Sequence, residues 1–202
     1  TTEADANIIC LAADGEKVDF IGAEQSAVLI GILKATTTYN PLVNPDNSLS
    51  RRNVVRTPTV ISGKLLDDYK YNIAHLINIK DAKNVTIDGF QISYANAAST
   101  ELGNTNKYGA AITIKNSNTG ITIKDVIINN STAEGGAAIY ADKSTANFEN
   151  CIFHNNTTTQ LANSGVVYAT NDSHLTFDHC DVIRNVGHAS YLGSNATRNQ
   201  WN

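Results

Sequence analysis

Four copies of one short motif recur along this 202-residue chain: Ile87-x-x-Phe90-x-Ile92, Ile123-x-x-Val126-x-Ile128, Phe148-x-x-Cys151-x-Phe153 and Phe177-x-x-Cys180-x-Val182. The last three begin 25 and 29 residues apart (148 minus 123, 177 minus 148). Each copy lies in a stretch patterned as strand, and no helical period separates them. A repeat of this length without a helix cannot bury an apolar face alone, so it must stack on its neighbours. The spacing predicts an all-β chain wound as a solenoid, in its simplest form a right-handed parallel β-helix.

In such a coil, side chains alternate inward and outward along each strand. Ile87, Ile123, Phe148 and Phe177 are expected to form one buried column, and Ile92, Ile128, Phe153 and Val182 another. Cys151 and Cys180 share a repeat position and are expected to stack inward as buried thiols. A disulfide or a metal site is the alternative there, and three cysteines leave at least one thiol free. Asn130, Asn155, Asn156 and Asn185 fall just past the second strand of each unit. Asparagine tolerates left-handed turns and bonds side chain to backbone, so these four read as structural turns.

The whole chain, 1–202, reads as one β-helix domain. Residues 1–53 are the least regular and are expected to form irregular coils or a cap, with Ala23 to Lys34 read as strand, on the branched run Val28 to Ile32, in preference to a short helix. Residues 54–190 are the regular coils, and 191–202 a tail or the start of a further coil. Within the regular part, each unit opens on small residues, Gly109 to Ile114, Gly135 to Tyr140 and Ser164 to Ala169, which read as strands.

Charge excludes one class of partner. Fifteen Lys plus Arg stand against 19 Asp plus Glu, net -4, with no basic stripe to follow a nucleic acid. The longest apolar run, Ala27 to Leu33, is too short to span a bilayer and is broken by Gly31. The chain has no Met. It is therefore expected to be a trimmed or mature form, or part of a longer polypeptide.

Gly135-Gly136-Ala137-Ala138-Ile139, followed by Phe153-His154-Asn155-Asn156, resembles the repeats of polymorphic outer membrane proteins. Those carry a Gly-Gly-Ala-Ile-like element and a Phe-x-x-Asn element. This chain has one extra residue before Ile139, and Val182 replaces Phe in the last unit. Asn84-Val85-Thr86-Ile87-Asp88-Gly89-Phe90 is similar to a segment of pectin-lyase-like bacterial surface proteins. The resemblance covers roughly residues 54–190. It implies a pectin-lyase-like solenoid exported to the cell envelope, on the outer membrane or outside the cell, with a role in adhesion.

The same resemblance raises catalysis. Lyases of that group use clustered Asp ligands for calcium with an Arg or Lys base. Asp88, Asp125, Glu149 and Asp178 are expected to face outward, but at mixed positions that give no converging acids for calcium. No metal and no other cofactor is expected. The related hydrolases carry an Asn-Thr-Asp, a paired Asp-Asp, a Gly-His-Gly and an Arg-Ile-Lys. Only the paired Asp, Asp67-Asp68, is present, in a loop. His154 and His179 read as surface residues, and His75 as a cap on the loop before it.

The loops are the better place for binding, because sugars stack on exposed aromatic rings. Tyr69, Tyr71, Tyr94 and Tyr108 are the candidate carbohydrate contacts. The function expected is a non-catalytic surface protein, adhesive or scaffolding, whose partners are host or self glycans or proteins. A polysaccharide lyase or glycoside hydrolase is the alternative.

Overall fold

A computed structural model describes residues 16–21, 27–30, 59–64, 68, 72–101, 103–160, 162, 164–193 and 197–201. The chain runs in successive coils. The first carries β1 (Glu16–Ile21), β2 (Ala27–Ile30) and β3 (Thr59–Ser62), and the second β4 (His75–Lys80), β5 (Val85–Asp88) and β6 (Phe90–Ser93). Next come β7 (Ile112–Lys115), β8 (Ile121–Lys124), β9 (Ile127–Asn129) and the short β10 (Thr132–Ala133). The fourth coil repeats this with β11 (Ile139–Asp142), β12 (Thr145–Glu149), β13 (Ile152–His154) and β14 (Thr157–Thr158). Then follow β15 (Val167–Thr170), β16 (His174–Asp178) and β17 (Asp181–Ile183), and finally β18 (Ser190–Leu192) and β19 (Thr197–Trp201).

Every pairing is parallel and joins equivalent strands of neighbouring coils. The first sheet has the order β1-β4-β7-β11-β15-β18, the second β19-β16-β12-β8-β5-β2, the third β17-β13-β9-β6-β3, with β10-β14 as a narrow fourth side. This is a parallel β-helix. β1 and β2 stack in register on β4 and β5, so regular coiling reaches into the first fifty residues. β18 and β19 continue it beyond residue 190.

The register places Ile87, Ile123, Phe148 and Phe177 in one column and Ile92, Ile128, Phe153 and Val182 in another. All but Val182 are almost wholly buried; Val182 and Cys180 are only partly so, because β17 is the edge of its sheet. Phe148 and Phe177 stack face to face, with ring centroids 4.8 Å apart and planes 9° apart, and Phe153 packs its edge on both.

In the second to fifth coils, three corners each turn on a residue in the left-handed region. Asp81, Asn116, Lys143 and, in the fifth coil, both Asn171 and Asp172 occupy the first. Gly89, Asp125, Asn150 and His179 occupy the second, and Tyr94, Asn130, Asn155 and Arg184 the third. Asn, Asp and Gly accept that conformation most readily, which accounts for their share of these positions. At the first and third corners, where the residue after the turn is Ser or Asn, its side chain points inward and links coils. Ser144 Oγ accepts from Ser117 N–H at 3.2 Å, and Ser173 Oγ from Ser144 N–H at 3.2 Å. At the third corner, Asn156 Oδ1 accepts from Ser131 N–H at 3.1 Å. These bonds satisfy backbone donors that the turn would otherwise bury unpaired.

Two expectations about local structure are corrected. The small-residue runs are not strands along their whole length: β7, β11 and β15 begin at Ile112, Ile139 and Val167. The residues before them form another bend, where Ala110 N–H donates to Gly136 O and Ala138 N–H to Val166 O. Side chains this small let neighbouring backbones approach. Asp88, expected to face solvent, is 2% exposed. Its strand is covered by β2, with Ile30 paired to Asp88, and its carboxylate lies 3.5 Å from Lys124 Nζ.

Candidate functional site

On the first sheet, inward Ile139 and Ala141 alternate with outward Tyr140 and Asp142. Tyr140 pairs with Tyr168, and Tyr168 with Tyr191, so three tyrosines stand in one column along the helix axis. Tyr108, at the end of the 98–108 loop, bridges to Gly135 and adds a fourth ring. Its centroid lies 5.9 Å from Tyr140 and 5.7 Å from Tyr168. Tyr140 and Tyr168 are 5.5 Å apart, Tyr168 and Tyr191 5.3 Å, both close to edge-on. Such tilted contacts match the preference of aromatic quadrupoles. All four rings are half-buried.

The paired glycines of the repeat make room for these rings. A Cβ on Gly135 would lie 3.0 Å from Tyr168 Cδ1 and 3.1 Å from Tyr108 Cδ1. Gly136 has φ +66 and would carry its Cβ 2.9 Å from that of Tyr140.

Polar groups hold the loop that delivers Tyr108. Asn104 Nδ2 donates to the carbonyls of Ala97 and Asn106, each at 2.7 Å. Lys107 Nζ donates to Ala98 O at 2.9 Å. His75 Nδ1 sits 2.7 Å from Gly109 O, and its Nε2 lies 3.3 Å from Asn104 Oδ1. His75 thus fastens the loop that follows it by one coil, not the preceding loop it was expected to cap. The Tyr108 hydroxyl donates to Gln160 Oε1 at 3.4 Å.

The face is uncharged at its centre. Burial, and then the Asp142 carboxylate beside it, push the Tyr140 hydroxyl up to about 12. Burial also raises Tyr168. Both phenols therefore stay protonated at neutral pH. Lys115 Nζ lies 5.6 Å from the centre of the Tyr140 ring, a cation–π contact at the rim. A neutral aromatic strip with amide, ammonium and carboxylate groups at its borders can stack on apolar ligand faces and bond their hydroxyls.

Of the two described tyrosines singled out from sequence, Tyr94 and Tyr108, Tyr108 belongs to this strip. Tyr94 stands at the third corner, at φ 63 and 40% exposed. Tyr69 and Tyr71 lie outside the described residues. Tyr140, Tyr168 and Tyr191 were missed, although Tyr140 and Tyr168 are 28 residues apart (168 minus 140) at equivalent points of successive repeats.

Among the described residues, the acidic side chains form no comparable centre. Asp125 Oδ1 accepts from Asn150 Nδ2 at 3.4 Å, and Asp178 lies 2.7 Å from His179 Nδ1. Among the described residues no three His, Cys, Asp or Glu side chains are grouped to hold a metal ion. His154 is half-buried, with Nε2 3.1 Å from Asn129 Nδ2, and burial lowers its pKa.

Comparison with known proteins fixes the family. Residues 52–201 match the family described as right handed beta helix region. The chain belongs to the right-handed β-helix family. That assignment supplies the hand of the coil to the parallel sheets above. Two curated bacterial proteins are similar over shorter stretches. Penicillin-binding protein 1A/1B of Bacillus subtilis is 36% identical over 89 residues, which is 44% of this β-helix chain and 8% of that protein. Penicillin-binding protein 1B of Haemophilus influenzae is 36% identical over 59 residues, 29% of this chain and 7% of that protein. The chain thus spans less than a tenth of either relative. No solved structure matches it.

Proposed function

We propose that this β-helix is a non-catalytic, exported surface protein, adhesive or scaffolding, that takes carbohydrate on its tyrosine strip. The observation that carries the reading is the register of Tyr140, Tyr168 and Tyr191 on three adjacent strands, joined by Tyr108. Sugar rings present apolar C–H faces that pack on aromatic rings, and an array repeated on three successive coils suits an extended ligand. The polar borders at Asn104, Gln160, Lys115 and Asp142 offer donors and acceptors for hydroxyl groups. The partners are surface glycans of the same cell or of a host.

A glycan array probed with the wild-type chain, Tyr168→Ala and Tyr94→Ala tests this. The wild type and Tyr94→Ala should bind the same glycans, and Tyr168→Ala should bind them about tenfold more weakly. Equal binding by all three proteins, or no glycan bound by any, would remove the proposal. Release of unsaturated or reducing sugar from a polysaccharide would favour a lyase or hydrolase instead.

A further inference from the structure

Cys151 and Cys180 occupy the second corner of successive coils, and the register is fixed on both sides of them. Phe148 and Glu149 pair with Phe177 and Asp178, and Ile152 with Asp181. Asn150 N–H donates to Asp178 O, and Asp181 N–H to Cys151 O, each at 2.9 Å. Stacked strands lie about 4.8 Å apart, within the Cα separation of about 4.4–6.8 Å that a disulfide requires. Both thiols are free. Cys151 N–H donates to Cys180 Sγ at 3.4 Å, and the Cys180 sulfur lies 3.6 Å from Phe148 O and 3.3 Å from Asp178 O.

The pair is asymmetric. Cys151 is fully buried, with its sulfur 3.4 Å from the carbonyls of Ile123 and Glu149. Cys180 is partly exposed on β17, an edge strand, so no described strand covers it on the far side. The neighbouring Cys151 thiol, and after it the backbone N–H of Cys151, hold the Cys180 thiol below its ordinary range. That same contact, together with burial, pushes Cys151 well up. The thiolate is the nucleophile in disulfide exchange, so Cys180 is the attacking group.

We propose that Cys180 is a thiol-modification site for small disulfides, and that Cys151 resolves the adduct into a disulfide between neighbouring coils. Cys180 thiolate attacks one sulfur of an external disulfide. A Cys180–sulfur bond forms, the external sulfur–sulfur bond breaks, and one thiolate leaves and takes a proton. Cys151 then loses its proton and attacks Cys180 Sγ, and the second external thiol departs. The protein dithiol is oxidised by two electrons, and one external disulfide is reduced to two thiols. Parallel Cβ atoms one coil apart must draw together to reach the Cβ separation of about 3.5–4.5 Å in a relaxed disulfide. The bond is therefore strained and easily reduced again.

The test is oxidised glutathione added to the folded full chain carrying Cys10→Ser, followed by intact mass and peptide mapping. The expected product has lost two hydrogens and yields a cross-linked peptide containing Cys151 and Cys180. Cys151→Val, which places at this corner the residue type of Val126 one coil earlier, should stop at a glutathione adduct on Cys180. That adduct should form at least about tenfold faster than any on Cys151 in Cys180→Ser. A stable glutathione adduct in the chain with both cysteines would overturn the proposal, as would no thiol loss before unfolding. The mass of that chain decides the matter even if the valine variant folds poorly.

Discussion

The backbone N–H of Asn156 donates to Oδ1 of Asn185, one coil further along, at 2.8 Å. The Asn156 side chain is fully buried, accepts from Ser131 N–H and donates to Ile128 O at 2.9 Å. One amide thus ties three coils together. Asn156→Ala leaves Ser131 N–H without its partner and removes the amide bond to Ile128 O, at about 1–3 kcal/mol for the orphaned donor. Urea unfolding should register that loss, and an unchanged midpoint would contradict the ladder.

The buried serines separate into two kinds. Ser144 Oγ accepts from Ser117 N–H and donates to Asp142 O at 2.8 Å. Ser93 Oγ is equally buried but has no hydrogen-bond partner among the described residues. Ser144→Ala should destabilise by about 1 kcal/mol, whereas Ser93→Ala should be neutral or stabilising. The two midpoints measured side by side check this, and equal losses would count against it.

Phe148 lies between Ile123 and Phe177 in its column and stacks on Phe177 at 4.8 Å. Phe148→Ala should cost about 3–5 kcal/mol, part of it from the cavity left in a rigid coil. Phe148→Leu should cost less. Denaturant melts that place the two variants together would argue against stacking as the source.

Tyr94 is at φ 63 where the following coils place Asn130 and Asn155. A bulky side chain in the left-handed region carries a penalty of about 1–2 kcal/mol that asparagine partly avoids. Tyr94→Asn should therefore raise the unfolding midpoint. A fall would mean that the Tyr94 ring makes compensating contacts.

Tyr140 titrates at about 12 in the folded chain against an ordinary 10.0. The folded state holds the phenol proton more tightly, so this group's stabilisation is complete below 10.0. It is lost as pH rises through about 12. Unfolding midpoints across that range should fall less steeply in Tyr140→Phe than in the wild type. Identical slopes would mean that the burial of Tyr140 does not govern its titration.

The buried columns could be read from sequence because Ile123, Phe148 and Phe177 recur at coil spacing with large apolar side chains. Ser117, Ser144 and Ser173 recur just as regularly, 27 and 29 residues apart (144 minus 117, 173 minus 144). They pass for ordinary polar turns because nothing in a serine's identity says that it points inward. The tyrosine strip was hidden for another reason. Tyr140 and Tyr168 sit at outward strand positions, whereas Tyr108 arrives from a loop whose path depends on Asn104 and His75. Asp88 could not be placed because its strand pairs with β2, more than fifty residues earlier, and its carboxylate meets Lys124 one coil later.

The most direct measurement is NMR of the tyrosine ring resonances during titration with an oligosaccharide chosen by array binding. Carbohydrate contact on the strip predicts saturable shifts of Tyr108, Tyr140, Tyr168 and Tyr191 with a shared affinity, while Tyr94 stays unmoved. Saturable shifts confined to other residues, with these four rings unchanged, would contradict it.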